Sequence, residues 1–191
     1  GKTETLLTKG NYDIGEIKCI DEVKNYIYFT ASPDNATQLY LYRVPIDRGT
    51  IIQQVVNTVK KVVDAVSSIS YEPELVSSKE LKGTHSYNIS PGGKYATHSF
   101  SNHNTPPVRE WITLPDHKPI KASKSIASTI KTDDRNDVEY LRTITSDNII
   151  LDAWINKPKN FDSTKKYPVV FYVYGEPASS TVQDRYGAHS N

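Results

Sequence analysis

Two stretches of this chain repeat one pattern, and the repeat constrains the fold more than any other feature. The first runs Asn25-Tyr26-Ile27-Tyr28-Phe29-Thr30-Ala31-Ser32, turns through Pro33-Asp34-Asn35, and returns as Gln38-Leu39-Tyr40-Leu41-Tyr42-Arg43-Val44-Pro45. The second runs Lys94-Tyr95-Ala96-Thr97-His98-Ser99-Phe100-Ser101, turns through residues 102–107, and returns as Val108-Arg109-Glu110-Trp111-Ile112-Thr113-Leu114-Pro115. Alternating residues with polar turn residues between them mark β-hairpins. A strand candidate precedes each hairpin: residues 12–20 ahead of Asp21-Glu22, and residues 84–89 ahead of Ser90-Pro91-Gly92-Gly93. A fourth follows, such as residues 119–122 after the second. Three to four antiparallel strands in tandem are the pattern of propeller blades. Each blade buries its faces only against neighbours, so two blades are expected to be a piece of a larger protein.

Composition agrees with strands. Thirteen tyrosines, with abundant Thr, Val and Ile, favour sheet over helix. Apolar residues make up 37%, so the core is expected to be thin and partly aromatic. The net charge is +1 with both signs interspersed, which gives no electrostatic case for nucleic acid or an anionic membrane surface as partner. No apolar run approaches the roughly 20 residues of a membrane-spanning helix, and the opening Gly-Lys-Thr-Glu-Thr does not read as a signal peptide. Met is absent, which fits an internal piece of a longer product. Cys19, the single cysteine, allows no internal disulfide and no Cys-based metal site.

Between the repeats, Val55, Val59, Val62, Val66 and Ile69 recur at steps of four and three. That spacing predicts an amphipathic helix near residues 52–70, within an insertion spanning 51–79, although Val is a poor helix former. Residues 123–135 are polar and read as a linker. Residues 137–145 and 149–157 then form a two-strand meander around Ser146-Asp147-Asn148. Residues 167–174 follow as a buried third strand that breaks at Gly175-Glu176-Pro177. This order places a domain boundary near residue 130.

A nucleophilic hydrolase needs a nucleophile, a base and an oxyanion stabiliser within hydrogen-bond reach. The chain has no Gly-x-Ser-x-Gly nucleophile elbow. His85, His98, His103, His117 and His189 are scattered and read as structural or surface residues. The run Asp133-Asp134-Arg135-Asn136-Asp137 lacks the central Gly and closing Glu of a calcium loop. No metal site and no cofactor is therefore expected. Tyr174 stands apart. A phenol at the carboxyl end of a sheet strand can donate its O–H to developing negative charge, a contribution of roughly 2.7–4 kcal/mol. Packing at a strand end is its competing role.

Three motifs carry a resemblance over nearly the whole chain outside the insertion. Leu7-Thr8-Lys9-Gly10 looks like the start of a late propeller blade. Residues 82–95, Lys-Gly-Thr-His-Ser-Tyr-Asn-Ile-Ser-Pro-Gly-Gly-Lys-Tyr, are similar to a last blade. Lys165-Lys166-Tyr167-Pro168-Val169-Val170, followed by Val173-Tyr174-Gly175-Glu176-Pro177, is similar to a strand that carries an oxyanion Tyr. Together they resemble the dipeptidyl peptidase IV branch of the prolyl oligopeptidase superfamily of serine peptidases. The resemblance implies a β-propeller followed by an α/β-hydrolase domain with a Ser-Asp-His triad, releasing N-terminal Xaa-Pro or Xaa-Ala dipeptides. On it, residues 1–130 are the last two blades, and residues 131–191 are the first strands of the hydrolase domain. Tyr174 maps onto the oxyanion donor, and no other catalytic residue is carried over. Glu176 departs from the family, which more often has Gly before that Pro. The resemblance further implies a peptide substrate with a free N-terminus, a homodimer, and a periplasmic, secreted or membrane-anchored location. The chain alone, lacking the triad, is expected to be inactive. The alternative is a propeller-derived interaction module without catalysis.

Overall fold

The computed structural model of the chain describes residues 6–46, 72–121, 123–131, 138–175 and 180–188. The helix expected near residues 52–70 lies outside them, as does most of the 51–79 insertion. Two four-stranded antiparallel sheets dominate. The first contains β1 (Ile14–Asp21), β2 (Tyr26–Ala31), β3 (Tyr40–Pro45) and β4 (Glu74–Leu75), in spatial order β1-β2-β3-β4. The second contains β5 (Thr84–Ile89), β6 (Tyr95–Asn102), β7 (Thr105–Thr113) and β8 (Lys118–Pro119), in order β5-β6-β7-β8. Both are meanders of the kind that forms propeller blades, as the repeat predicts. The strand expected across residues 119–122 closes earlier, at Pro119.

Turn chemistry sets these hairpins. The Asp21 carboxylate accepts hydrogen bonds from the Val23 and Lys24 amides at 3.1 and 3.0 Å, and Asn25 takes φ 57°. Such local side-chain bonds reverse the chain between β1 and β2. Between β5 and β6 the reversal uses Gly92 and Gly93 at φ 77° and 60°. A Cβ at Gly93 would lie 3.0 Å from Asp21 Oδ2, so this position also lets the two sheets approach. The turn between β6 and β7 is shorter than residues 102–107. Pro106 and Pro107 sit inside β7, where the pairing shifts register between Asn102↔Thr105 and Phe100↔Val108. A bulge is where a strand tolerates residues without an N–H donor.

The core lies between the sheets. Tyr28, Leu41 and Val76 from the first side meet Tyr87, Ala96, Ile112 and Leu114 from the second. Phe29, Ala31, Tyr40, Tyr42 and Val44 form a second cluster on the opposite face of the first sheet. Both faces of β2 and β3 are thus covered, which explains their near-continuous apolar sequences. The second sheet has one covered face, and Tyr95 and Trp111 are exposed on the other. A bridge from Leu39 to Thr84 ties the sheets at their edge, with Leu39 N–H donating to Gly83 O at 3.1 Å and His85 N–H to Leu39 O at 2.9 Å.

Beyond the second sheet the sequence expectations hold in part. The stretch read as a linker contains a one-turn helix, α1 (Ile126–Thr129), whose Ile126 is fully buried. One apolar residue in a polar run was enough to pin it. The expected meander forms as β9 (Val138–Ile144) and β10 (Ile150–Asn156), paired with each other from Val138↔Asn156 to Ile144↔Ile150. Asn148 at φ 63° makes its turn. The buried third strand does not form. Residues 167–174 carry no ladder, and Val170 is 94% exposed. A strand needs partners for its backbone groups, and an apolar run needs a covering layer. The described residues supply neither to this segment.

Candidate functional site

The register of β5, β6 and β7 places Tyr87, His98 and Glu110 directly opposite one another on the covered face. Alternation put a polar residue at each of these inward positions, and all three are buried. His85 lies diagonally beside them, also buried. His117 reaches the same place from the β7–β8 turn, with φ 50°. Three of the five histidines read as scattered therefore gather in one blade.

Hydrogen bonds run through the cluster in a fixed sense. Leu81 O can only accept, so His85 Nε2–H donates to it at 2.7 Å. Burial first, then the neighbouring His98, pulls the His85 pKa down to about 3, so this ring is neutral and its Nδ1 accepts. His98 Nε2 lies 2.9 Å from that Nδ1 and must donate. His98 Nδ1 lies 2.8 Å from Glu110 Oε1. Burial acts to raise the Glu110 carboxyl, but hydrogen bonds from His98 and from the Ile126 amide, 2.9 Å from Oε2, hold it below its ordinary value. A carboxylate only accepts, so His98 Nδ1–H donates to Glu110 Oε1. Tyr87 stacks on His98 with ring centroids 4.6 Å apart. Its hydroxyl contacts His117 Nε2 and Ser77 Oγ, each at 2.9 Å. His117 is pulled down to about 4, by burial and then by His98.

Tyr174 lies elsewhere. It ends the exposed run of residues 169–173, is 41% exposed, and precedes Gly175, beside which a Cβ would meet no atom within 4 Å.

A second polar centre, unseen in the sequence, lies ten residues beyond Tyr174. Asp184 is 6% exposed and joins the chain's last described segment to both sheets. Its amide donates to Thr37 O at 2.7 Å, and its carbonyl accepts from Thr84 Oγ1 at 2.9 Å. One carboxylate oxygen accepts from the His103 amide at 2.9 Å and lies 3.0 Å from His103 Nδ1. The other accepts from Gln38 Nε2 at 3.1 Å. The hairpin is tied in as well: the Tyr140 hydroxyl of β9 donates to Gln183 O at 2.9 Å. Burial, then the Asp184 charge, raises the Tyr140 phenol pKa, which keeps it a donor.

Comparison with known proteins adds the following. Residues 1–107 match the family model described as the dipeptidyl peptidase IV N-terminal region. Over 186 residues, 95% of the chain, it is 26% identical to a Talaromyces marneffei protein named "Probable dipeptidyl-aminopeptidase B". A protein of the same name from Uncinocarpus reesii is 27% identical over 187 residues. In each case the chain spans 18% of the relative's length. Among solved structures, Porphyromonas gingivalis dipeptidyl peptidase 4 superimposes with TM-score 0.70 at 21% identity. The match covers 95% of this chain and 22% of that one.

Proposed function

The chain belongs to the dipeptidyl peptidase IV family, and on that footing we propose that it supplies two propeller blades and the oxyanion donor of a serine exopeptidase. In this reading residues 1–130 are propeller and residues 131–191 begin the α/β-hydrolase unit. The enzyme releases N-terminal dipeptides with Pro or Ala second. Its substrate is a peptide with a free N-terminus, bound where propeller and hydrolase meet. No helix among the described residues is long and apolar enough to cross a membrane. A periplasmic, secreted or membrane-anchored homodimer is the assembly proposed from the family.

The observation that carries this reading is the attachment to the blades of the chain ten residues beyond Tyr174. Asp184 clamps the chain beyond Tyr174 against Thr37, Gln38, Thr84 and His103, residues of both sheets or their turns. A donor that stabilises a tetrahedral oxyanion must be held before the charge appears. A clamp to the propeller ten residues away limits where the tyrosine can go. The phenol then donates its O–H to the oxyanion formed when a serine attacks the scissile carbonyl, a bond stronger to the charged oxygen than to the neutral carbonyl.

Donation alone does not make a catalyst, because bond formation needs the nucleophile and its base. The isolated chain should therefore show no turnover of a chromogenic Xaa-Pro dipeptide above buffer. A rate that persists in Tyr174→Phe would contradict the roles assigned.

A further inference from the structure

We propose that His98, Glu110 and His117 form a binding site for one divalent transition-metal ion of the zinc class. One ligand atom from each of the three lies within 4.8 Å of the others, and two of the three residues are buried. Tetrahedral zinc, with bonds of about 2.0–2.2 Å, holds its donors roughly 3.3–3.5 Å apart, so a small closure assembles the set. Two imidazoles and one carboxylate suit zinc and its transition-metal neighbours. Calcium and magnesium take oxygen donors instead. Three protein ligands leave one tetrahedral position for water.

The surrounding bonds already orient these ligands. His98 uses Nε2 towards His85, which is anchored on Leu81 O. Glu110 uses Oε2 to accept the Ile126 amide of α1. Partners of this kind fix ring and carboxylate orientation around bound metals. They leave His98 Nδ1 and Glu110 Oε1 facing each other at 2.8 Å with one proton between them. The ion takes that proton's place, and the proton leaves to solvent. An ion pair would need only His98 and Glu110. The third donor, His117, is delivered from a turn with φ 50°, a conformation uncommon outside Gly, and its half-buried ring marks the side of entry.

The test is to load the chain with zinc chloride, desalt it, count the metal by mass spectrometry, and record melting with and without zinc. Wild type should retain about one zinc per chain and melt higher when loaded, because an ion that binds only the folded state stabilises it. His117→Asn should lose the zinc and the shift while its metal-free melting temperature stays near wild type, since Asn tolerates positive φ. Glu110→Gln, which keeps an oxygen for Ile126, should also lose the zinc. Retention of less than about 0.1 zinc per wild-type chain overturns the site. So does wild-type retention of zinc by either folded variant.

Discussion

Both oxygens of Glu110 are committed, one to His98 and one to the Ile126 amide. Truncation would leave the buried His98 Nδ1–H and the Ile126 N–H without partners. Losing two hydrogen bonds to a charged group costs about 3–6 kcal/mol. Glu110→Ala should therefore lower the unfolding free energy of the metal-free chain by that amount in urea titration. Trp111→Ala next door should cost far less, because its ring is over half exposed. Little of this was legible in the sequence. His85, His98, Glu110 and His117 are separated by seven to thirteen residues, and a spacing of that size has no meaning until register is known. Register came from turns the pattern did not fix, above all the bulge at Pro106-Pro107. Asp184 was missed for the same reason: its partners lie 81 to 147 residues away. The role proposed for Tyr174 rests on family resemblance alone.

At the scale of elements, the blades were readable because two-residue alternation and turn residues agree there. Asp21 and Asn25 close one hairpin, Gly92 and Gly93 another. Residues 167–174 were misread as a buried strand because apolar composition reports a need for cover and not its presence. What fixes this part of the chain is the clamp at Asp184. Asp184→Ala removes the acceptors for His103 and Gln38. Each lost hydrogen bond to a charged group is worth about 1.5–3 kcal/mol. Amide exchange at residue 184 should then rise by at least about tenfold, as should exchange in the neighbouring described residues. The β2–β3 and β6–β7 ladders should keep wild-type protection. Equal acceleration in the ladders would mean that Asp184 holds the blades themselves and not the segment.

For the whole molecule, two sheets share an aromatic core whose phenols are neutral. Tyr42 is pushed up to about 12, by burial and then by the charge of Asp34. Tyr28, Tyr40 and Tyr87 are raised too, each by burial first. In the unfolded chain these groups lose their protons near pH 10. Between pH 10 and 12 the folded state holds more protons than the unfolded one, so stability falls as pH rises through that window. Melting curves should show the loss beginning above pH 10; exposed tyrosines such as Tyr95 and Tyr172 ionise in the folded chain, and the phenolate absorbance of the four buried ones should appear only with unfolding. Full phenolate absorbance in a still-folded chain would contradict the buried placement. The dipeptidyl peptidase 4 structure superimposes over 95% of the chain, which takes in both sheets. The most direct test of the central claim is kinetic: join this chain to a hydrolase domain carrying the Gly-x-Ser-x-Gly serine, and compare wild type with Tyr174→Phe on a Xaa-Pro chromogenic dipeptide. Loss of one oxyanion donor predicts a fall in kcat of about 10²–10³-fold with KM little changed. A kcat within about threefold of wild type would remove Tyr174 from the reaction.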